Sequence, residues 1–242
     1  MSSRDDKKGR IVKVGIISDV HGNSLGLAAV LVDLDRQGVD CVLGAGDMVG
    51  YYPCVNEVFE LLRCREMTWI LGNHECYLLG RLTVSPERWK DYNLNYVDRV
   101  IKEDHRKWLA KLPTNRTLDL NGARWILCHG SPWVVDEYIY PNYKYFERFN
   151  RIEADVVVMG HTHIPLIRQV GRVLLINPGS CGQPRDRNPL AAYALVDTRT
   201  FHVEIRRIAY EGKPLCHRIR AEGFDPKLIK LICKKMTSKT HG

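Results

Sequence analysis

What this chain lacks narrows its class before any residue is singled out. No two of its eight cysteines form a CxxC pair; they stand scattered at 41, 54, 64, 76, 128, 181, 216 and 233. That spacing excludes a disulfide framework and a structural cysteine-zinc site, so reduced thiols are expected, small buried ones where Cys76, Cys128 and Cys181 lie near polar motifs. No apolar run approaches the roughly 18 residues a membrane helix needs. The opening MSSRDDKKGR is polar, with no apolar segment behind it, so neither a secretory signal nor an anchor is read there and a cytoplasmic location is expected. Internal repeats and low-complexity linkers are absent too. One compact domain is the simplest organisation, and 242 residues can bury a substantial core.

An excess of one charge is also missing from most of the chain. The formal net charge is +8, but residues 211–242 hold eight Lys or Arg against three acids and residues 1–10 hold four against two. The remaining 200 residues carry 24 basic and 23 acidic groups. The basic character therefore belongs to the ends, and nucleic acid is not an expected partner of the body. Hydrophobic content of 45% and charged content of 26% are those of an ordinary globular enzyme.

Apolar runs and helical spacings alternate through the first half. Val12–Ser18, Cys41–Ala45 and Thr68–Leu71 read as strands, with helices over Leu25–Gln37 and Val55–Cys64 between them. This βαβαβ order predicts a parallel sheet with right-handed crossovers, and ligands of such sheets gather outside the carboxyl ends of the strands. Residues 80–112 break the rhythm. Trp89, Tyr92, Tyr96 and Val100 recur at helical spacing, followed by Trp108 and Leu109, which predicts two helices with an apolar stripe and a candidate lid. The second half is strand-rich: 116–120, 124–128, 156–159, 166–170, 173–176, 192–196 and 202–208, with Asn121-Gly122 and Gly171-Arg172 as hairpin turns. In the last thirty residues short helices are expected, one docked by Leu228, Leu231 and Ile232.

Five polar fragments follow apolar runs in order: Asp19-Val-His21, Gly46-Asp47, Gly72-Asn73-His74-Glu75, Cys128-His129-Gly130 and Gly160-His161-Thr-His163. Singly each is weak; Gly-Asp is a common turn. Together they bring two Asp, one Asn and five His to neighbouring loops, with Asp19, Asp47 and Asn73 just past predicted strand ends. An extended backbone is expected to send Asp19 and His21 the same way. Two divalent ions about 3.5–4 Å apart can clamp a phosphoester and lower the pKa of a water, and carboxylates, imidazoles and amide oxygens suit such ions.

In this order the fragments resemble the signature of the calcineurin-like metallophosphoesterase superfamily, D-x-H, G-D, G-N-H-[DE], H and G-H-x-H, from about residue 11 to 209. His21-Gly-Asn23, Gly46-Asp-x-Val-Gly-Tyr-x-Pro53 and Asn177-Pro-Gly-Ser180 resemble its small prokaryotic phosphodiesterase branch. The resemblance implies an α/β (α+β) fold, a four-layer α-β-β-α sandwich of two mixed sheets flanked by helices. The domain would span 11–210, with 80–112 a helical insertion and 211–242 a basic helical extension.

By the same resemblance, one metal would be held by Asp19, His21, Asp47 and His163, and a second by Asp47, Asn73, His129 and His161. His74 would act on the ester as electrostatic partner and general acid, with Glu75 orienting it or its loop. The implied activity is hydrolysis of a phosphomonoester or phosphodiester by a hydroxide held between two divalent ions, with Mn favoured among Mn, Fe, Zn, Ni and Co. The substrate would be a small phosphoester, a nucleotide being one class.

The arginine that grips phosphate in G-D-x-x-D-R-G is absent from Gly46–Pro53, which puts protein phosphatase activity in doubt. Arg185 and Arg187 are the nearby substitutes, with Asn23 and Tyr51 as further substrate contacts. Two other readings stand beside this one. They are a non-catalytic interaction module on the same fold and a nuclease using the basic tail and the aromatics of 80–112.

Overall fold

The computed structural model describes residues 13–226 and residue 229. Its first half runs β1 (Lys13–Ile17), α1 (Ser24–Gln37), β2 (Cys41–Gly44), α2 (Val55–Arg63), β3 (Thr68–Trp69) and α3 (Asn73–Leu78), then α4 (Pro86–Asp91), α5 (Leu94–Val100) and α6 (Glu103–Leu109). The second half holds β4 (Asn115–Leu120), β5 (Ala123–Cys128), a 3₁₀ turn at Phe146–Arg151, β6 (Val156–Val158), β7 (Leu166–Val170), β8 (Val173–Asn177), β9 (Ala191–Asp197), β10 (His202–Ile208) and α7 (Lys213–Ala221).

The strands form two five-stranded sheets, ordered β10-β9-β1-β2-β3 and β4-β5-β6-β8-β7. Both are mixed: β1, β2 and β3 are parallel while β9 runs against β1, and β5, β6 and β8 are parallel while β4 and β7 run antiparallel at the edges. The period of two decides which side chains meet. Val14 and Ile16 of β1 share one core with Trp125 and Leu127 of β5, Val156 and Val158 of β6, and Leu174 and Ile176 of β8. Ile17 turns the other way, into a core with Leu27, Val30 and Leu34 of α1 and Val55, Val58 and Phe59 of α2. On the far side, Val157, Val173 and Leu175 pack on Phe146 and Phe149 of the 3₁₀ turn. Two sheets face each other with helical layers outside them, as expected for the sandwich.

The hairpin turns stand where their sequences put them. Asn121 and Gly122 both have positive φ, 56° and 79°, the requirement of a type I′ turn between β4 and β5. The helical stretch differs from expectation: three helices replace two. Asn93, in left-handed backbone at φ 57°, ends one helix and opens the next, and extended Ile101 and Lys102 separate α5 from α6. The stripe of Trp89, Tyr92, Tyr96 and Val100 is therefore cut between Tyr92 and Tyr96, though all four pack on the first core. A short helix, α7, does follow β10, docked through Leu215 and Ile219; the predicted docking by Leu228, Leu231 and Ile232 lies outside the described residues. Cys41, Cys54, Cys64, Cys76, Cys128 and Cys181 are free thiols. No helix among the described residues is long and apolar enough to cross a membrane.

Candidate metal centre

The parallel strands of both sheets end at one place. Asp19 follows β1 by two residues, Asp47 follows β2 by three, Asn73 opens α3 beyond β3, His129 follows β5 directly, and His161 and His163 follow β6. All of them, with His74, are at most 5% exposed. Their donor atoms gather into three overlapping sets, each within 4.8 Å: Asp19, His21 and His163; His21, Asp47 and His74; Asp47, His129 and His161. Asn73 joins the last through its Oδ1, 3.0 Å from His129 Nε2.

The backbone that aims these side chains is not the extended one expected for Asp19 and His21. Both have positive φ, 55° and 52°, as do Asp47 at 55°, His161 at 67° and His163 at 58°. Left-handed backbone at a residue with a Cβ costs on the order of 1–3 kcal/mol, so five instances in one cluster require compensation, and such strain gathers at functional sites. Glycine relieves crowding where it is tightest: a Cβ at Gly72 would run into Asp47 Oδ1, and one at Gly50, where φ is 100°, into His74 Nδ1.

The hydrogen bonds identify what the cluster is prepared to hold. His21 Nδ1 lies 2.9 Å from the Val49 carbonyl and His163 Nδ1 lies 2.6 Å from that of Gln183. A carbonyl only accepts, so both Nδ1 atoms carry the proton and both Nε2 atoms present bare lone pairs. Those lone pairs face each other at 3.0 Å. His129 also sets its Nδ1 against a carbonyl, that of Ala45 at 2.6 Å, but turns Nε2 to two acceptors, Asn73 Oδ1 and Asp47 Oδ2 at 3.2 Å. His161 Nε2 is buried with no hydrogen-bond partner. Converging acceptors with nothing to donate to them are the arrangement divalent cations fit, and the nitrogen and oxygen donors suit first-row ions.

Electrostatics point the same way. Burial pulls His161 down to about 3 and also lowers His21 and His163, so these imidazoles are neutral and available as ligands. Burial opposes the charge on His129 as well, but Asp47 beside it overrides this and pushes it up to about 10. A cation between the two would take that proton's place.

The structure separates the remaining predicted residues. His74 lies buried beside the cluster, its ring stacked on Tyr92 at 4.4 Å and near His21 at 4.6 Å, with Nδ1 unpartnered. Tyr51 lies edge-on to His21 at 4.8 Å, and its hydroxyl accepts from Arg185 Nη2 at 3.1 Å. Arg187 is exposed, and Asp186 beside it pairs with Arg207 of β10. Asn23 is fully buried. Its Oδ1 caps α1 by accepting from Gly26 N, and its Nδ2 donates to the Gly182 carbonyl and the Tyr210 hydroxyl, so its hydrogen-bonding capacity is spent on holding loops.

A profile described as the calcineurin-like phosphoesterase superfamily domain matches residues 12–200. The chain belongs to that superfamily. It is 32% identical to the uncharacterized protein MJ0912 of Methanocaldococcus jannaschii over 85% of this chain and 91% of that one. It is 26% identical to the phosphodiesterase MJ0936 of the same organism over 70% and 84%. The crystal structure of a metallophosphoesterase from Sphaerobacter thermophilus superposes with a TM-score of 0.77 at 28% identity, covering 93% of this chain and all of that one. This calcineurin-like phosphoesterase is thus a hydrolase of phosphoester bonds, of a family that uses divalent metal ions.

Support residues around the phosphoesterase site were only partly legible. Glu75 holds the Asp47 loop, not the His74 ring: Oε2 accepts from Asp47 N at 3.0 Å and Gly72 N at 2.8 Å, and Oε1 accepts from Val49 N at 2.9 Å. Burial, reinforced by the Asp47 charge, raises its carboxyl to about 7, while the Val49 and Gly72 amides pull the other way. Asn177 of the Asn-Pro-Gly-Ser turn donates to the Gly160 carbonyl and Thr162 hydroxyl, and the Ser180 hydroxyl donates to the Asp19 carbonyl. That turn was visible in the sequence; its bracing role was not. Glu75→Gln should lower metal affinity about 10–100-fold, because an amide NH₂ replaces one acceptor and leaves a buried N–H facing a donor. Metal titration alongside thermal unfolding checks this, and unchanged affinity would remove the loop-holding role.

Proposed function

We propose that this chain is a phosphodiesterase or phosphomonoesterase that works with two divalent ions, Mn favoured, on a small phosphoester. One ion would be held by Asp19, His21, Asp47 and His163, the other by Asp47, Asn73, His129 and His161, with Asp47 shared. Bound there, the ions would supply a water of lowered pKa and neutralise charge on the phosphoryl oxygens.

The chain's own groups do the rest. His74 Nε2, 3.9 Å from Asp47 Oδ2, faces the shared carboxylate and can hold a proton at the leaving oxygen. Arg185 is held over the Tyr51 ring and by Gln183 Oε1 at 2.9 Å, a fixed cation at the mouth that can orient a phosphoryl group in place of the missing motif arginine. Residues 80–112 would serve as a cleft wall within a domain of 11–210, since Tyr92 both stacks on His74 and accepts from Tyr51 N through its carbonyl at 2.8 Å. A basic extension at 211–242 and a cytoplasmic setting, compatible with free thiols, complete the reading.

The observation that carries this reading is the pair of bare Nε2 lone pairs of His21 and His163 facing each other at 3.0 Å. The protein reconstituted separately with Mn, Ni, Co and Zn should hydrolyse p-nitrophenyl phosphate or its bis-ester, with activity lost on chelation and restored by metal. No turnover of either ester with any of the four ions would sink it.

A further inference from the structure

Beside the cluster lies an aromatic surface that hydrolysis itself does not require. Eight large apolar side chains are exposed among the described residues, and five of them fall within residues 133–145. Trp133 is engaged inward, edge-on to Phe149 at 5.0 Å and beneath the Arg148 guanidinium at 4.1 Å. Tyr138 and Tyr140 behave differently. Ile139 between them is 2% exposed and packs into the outer core of the second sheet, so the two tyrosines project together on the opposite side. Their rings are parallel within 8° at 5.5 Å, an offset stack, and they remain 41% and 38% exposed.

The inner ring of this pair touches the cluster of proposed ligands. Tyr138 lies 4.0 Å, ring centre to ring centre, from His161. Burial raises the pKa of its hydroxyl, and the charge of Arg185 opposes the rise. The segment is braced from beneath. Glu137 accepts from Ser131 Oγ at 2.6 Å, Tyr143 OH at 2.9 Å and Arg148 Nη1 at 2.8 Å, and Ser131 N donates to the Val134 carbonyl at 2.9 Å. Two exposed rings held rigidly in contact with water lose nothing in conformational freedom when a flat ligand covers them.

We propose that Tyr138 and Tyr140 are a stacking platform for the base of a nucleotide substrate, selecting nucleoside phosphoesters over esters with no flat ring. The proposal rests on the phosphoesterase reading of the adjacent centre. Tyr140 is the outer ring of the pair and Tyr138 backs it against His161, so a base can extend the stack on Tyr140 with its polar edges near the two hydroxyls. A phosphoryl group oriented by Arg185 brings its nucleoside within reach of the platform because Tyr138 abuts His161.

The test pairs two esters with a common leaving group, the p-nitrophenyl esters of thymidine 5′-phosphate and of ethyl phosphate, and adds calorimetric titration with AMP and with ribose 5-phosphate. The metal-loaded wild type should favour the thymidine ester and bind AMP more tightly than ribose 5-phosphate. Tyr138→Leu and Tyr140→Leu should each raise KM for the thymidine ester and Kd for AMP about tenfold, and Tyr140→Leu, one ring removed from His161, should leave kcat, the ethyl ester and ribose 5-phosphate unchanged. Tyr138→Phe and Tyr140→Phe, which keep the ring, should restore both. Equal effects on both esters, or equal binding of AMP and ribose 5-phosphate by the wild type, would overturn the platform while leaving phosphoester hydrolysis standing. Loss of AMP affinity in the Leu variants of a protein that turns over neither ester would uphold the platform and remove the hydrolytic reading instead.

Discussion

Asp47→Asn is expected to lower phosphoester turnover by about three orders of magnitude and to strip metal from the centre. Asp19 and Asp47 are the only carboxylates among the seven proposed ligands, so the four positive charges of two divalent cations would be offset by only two negative charges. Removing one leaves a buried excess of charge where water screens little. Asp47 is also the residue the geometry shares, with Oδ2 3.2 Å from His129 Nε2 and 3.6 Å from His21 Nε2. A metal supplies several kcal/mol of transition-state stabilisation, and about 4 kcal/mol is about a thousandfold in rate.

The substitution should leave the fold intact. The Asn carbonyl oxygen can still accept from His74 N, which Asp47 Oδ1 does at 3.0 Å, and Glu75 continues to hold the Asp47 backbone N–H. The measurements are kcat/KM with a saturating ion, metal content by elemental analysis, and circular dichroism. Two ions per chain with activity within tenfold of wild type would show that Asp47 is not shared.

How much of this centre was readable from the chain depends on which interaction places each residue. Strand ends were legible because apolar runs such as Val156–Val158 are bounded by glycine, and a parallel sheet brings its carboxyl ends together whatever the loops do. Asp19, Asp47, Asn73 and the three loop histidines follow from that alone. The local conformation was not legible. Asp19, His21, Asp47, His161 and His163 occupy left-handed backbone that their residue types do not announce, because the strain is sustained by partners distant in sequence, such as Ser180 on the Asp19 carbonyl and Gln183 on His163.

Partners that lie far along the chain were hidden for the same reason. Asn23 sits in a motif-like His-Gly-Asn and reads as a ligand-facing group, but Tyr210, 187 positions away, takes its amide. Arg185 and Arg187 are equivalent in sequence; the register of β10, which brings Arg207 to Asp186, separates them. Tyr138 and Tyr140 carry no motif, and only the burial of Ile139 between them reveals which way they point. The break at Asn93 was hidden because Trp89, Tyr92, Tyr96 and Val100 keep helical spacing across it.

His74→Ala should reduce kcat by roughly 10²–10⁴-fold, the range for removing a general acid, with both ions retained. The retention clause gives this variant its force, because the geometry offers a competing role. His74 lies with His21 and Asp47 in one of the three metal-compatible sets, its Nε2 3.9 Å from Asp47 Oδ2. Were it a ligand, its loss would empty a site and abolish activity through metal depletion. Its surroundings argue for the proton-holding role. Unlike His21, His129 and His163, whose Nδ1 atoms face backbone carbonyls, its Nδ1 has no partner to fix the tautomer, so either nitrogen can carry the proton. Burial lowers its pKa and favours the neutral ring, while the Asp47 charge opposes this and favours the protonated, acid form. Stacking on Tyr92 and contact with Tyr51 hold the ring without consuming a hydrogen bond. Truncation also leaves a cavity beside Tyr92, so His74→Gln, which fills more of that space and lacks the acid, should show the same loss in kcat with a smaller drop in Tm. Elemental analysis of both variants then separates the outcomes. Full metal content with a collapsed kcat and a near-normal KM assigns His74 to the chemical step, and loss of one ion per chain assigns it to the metal. Full activity in both variants would remove His74 from the chemical step and leave the leaving-group proton to another donor.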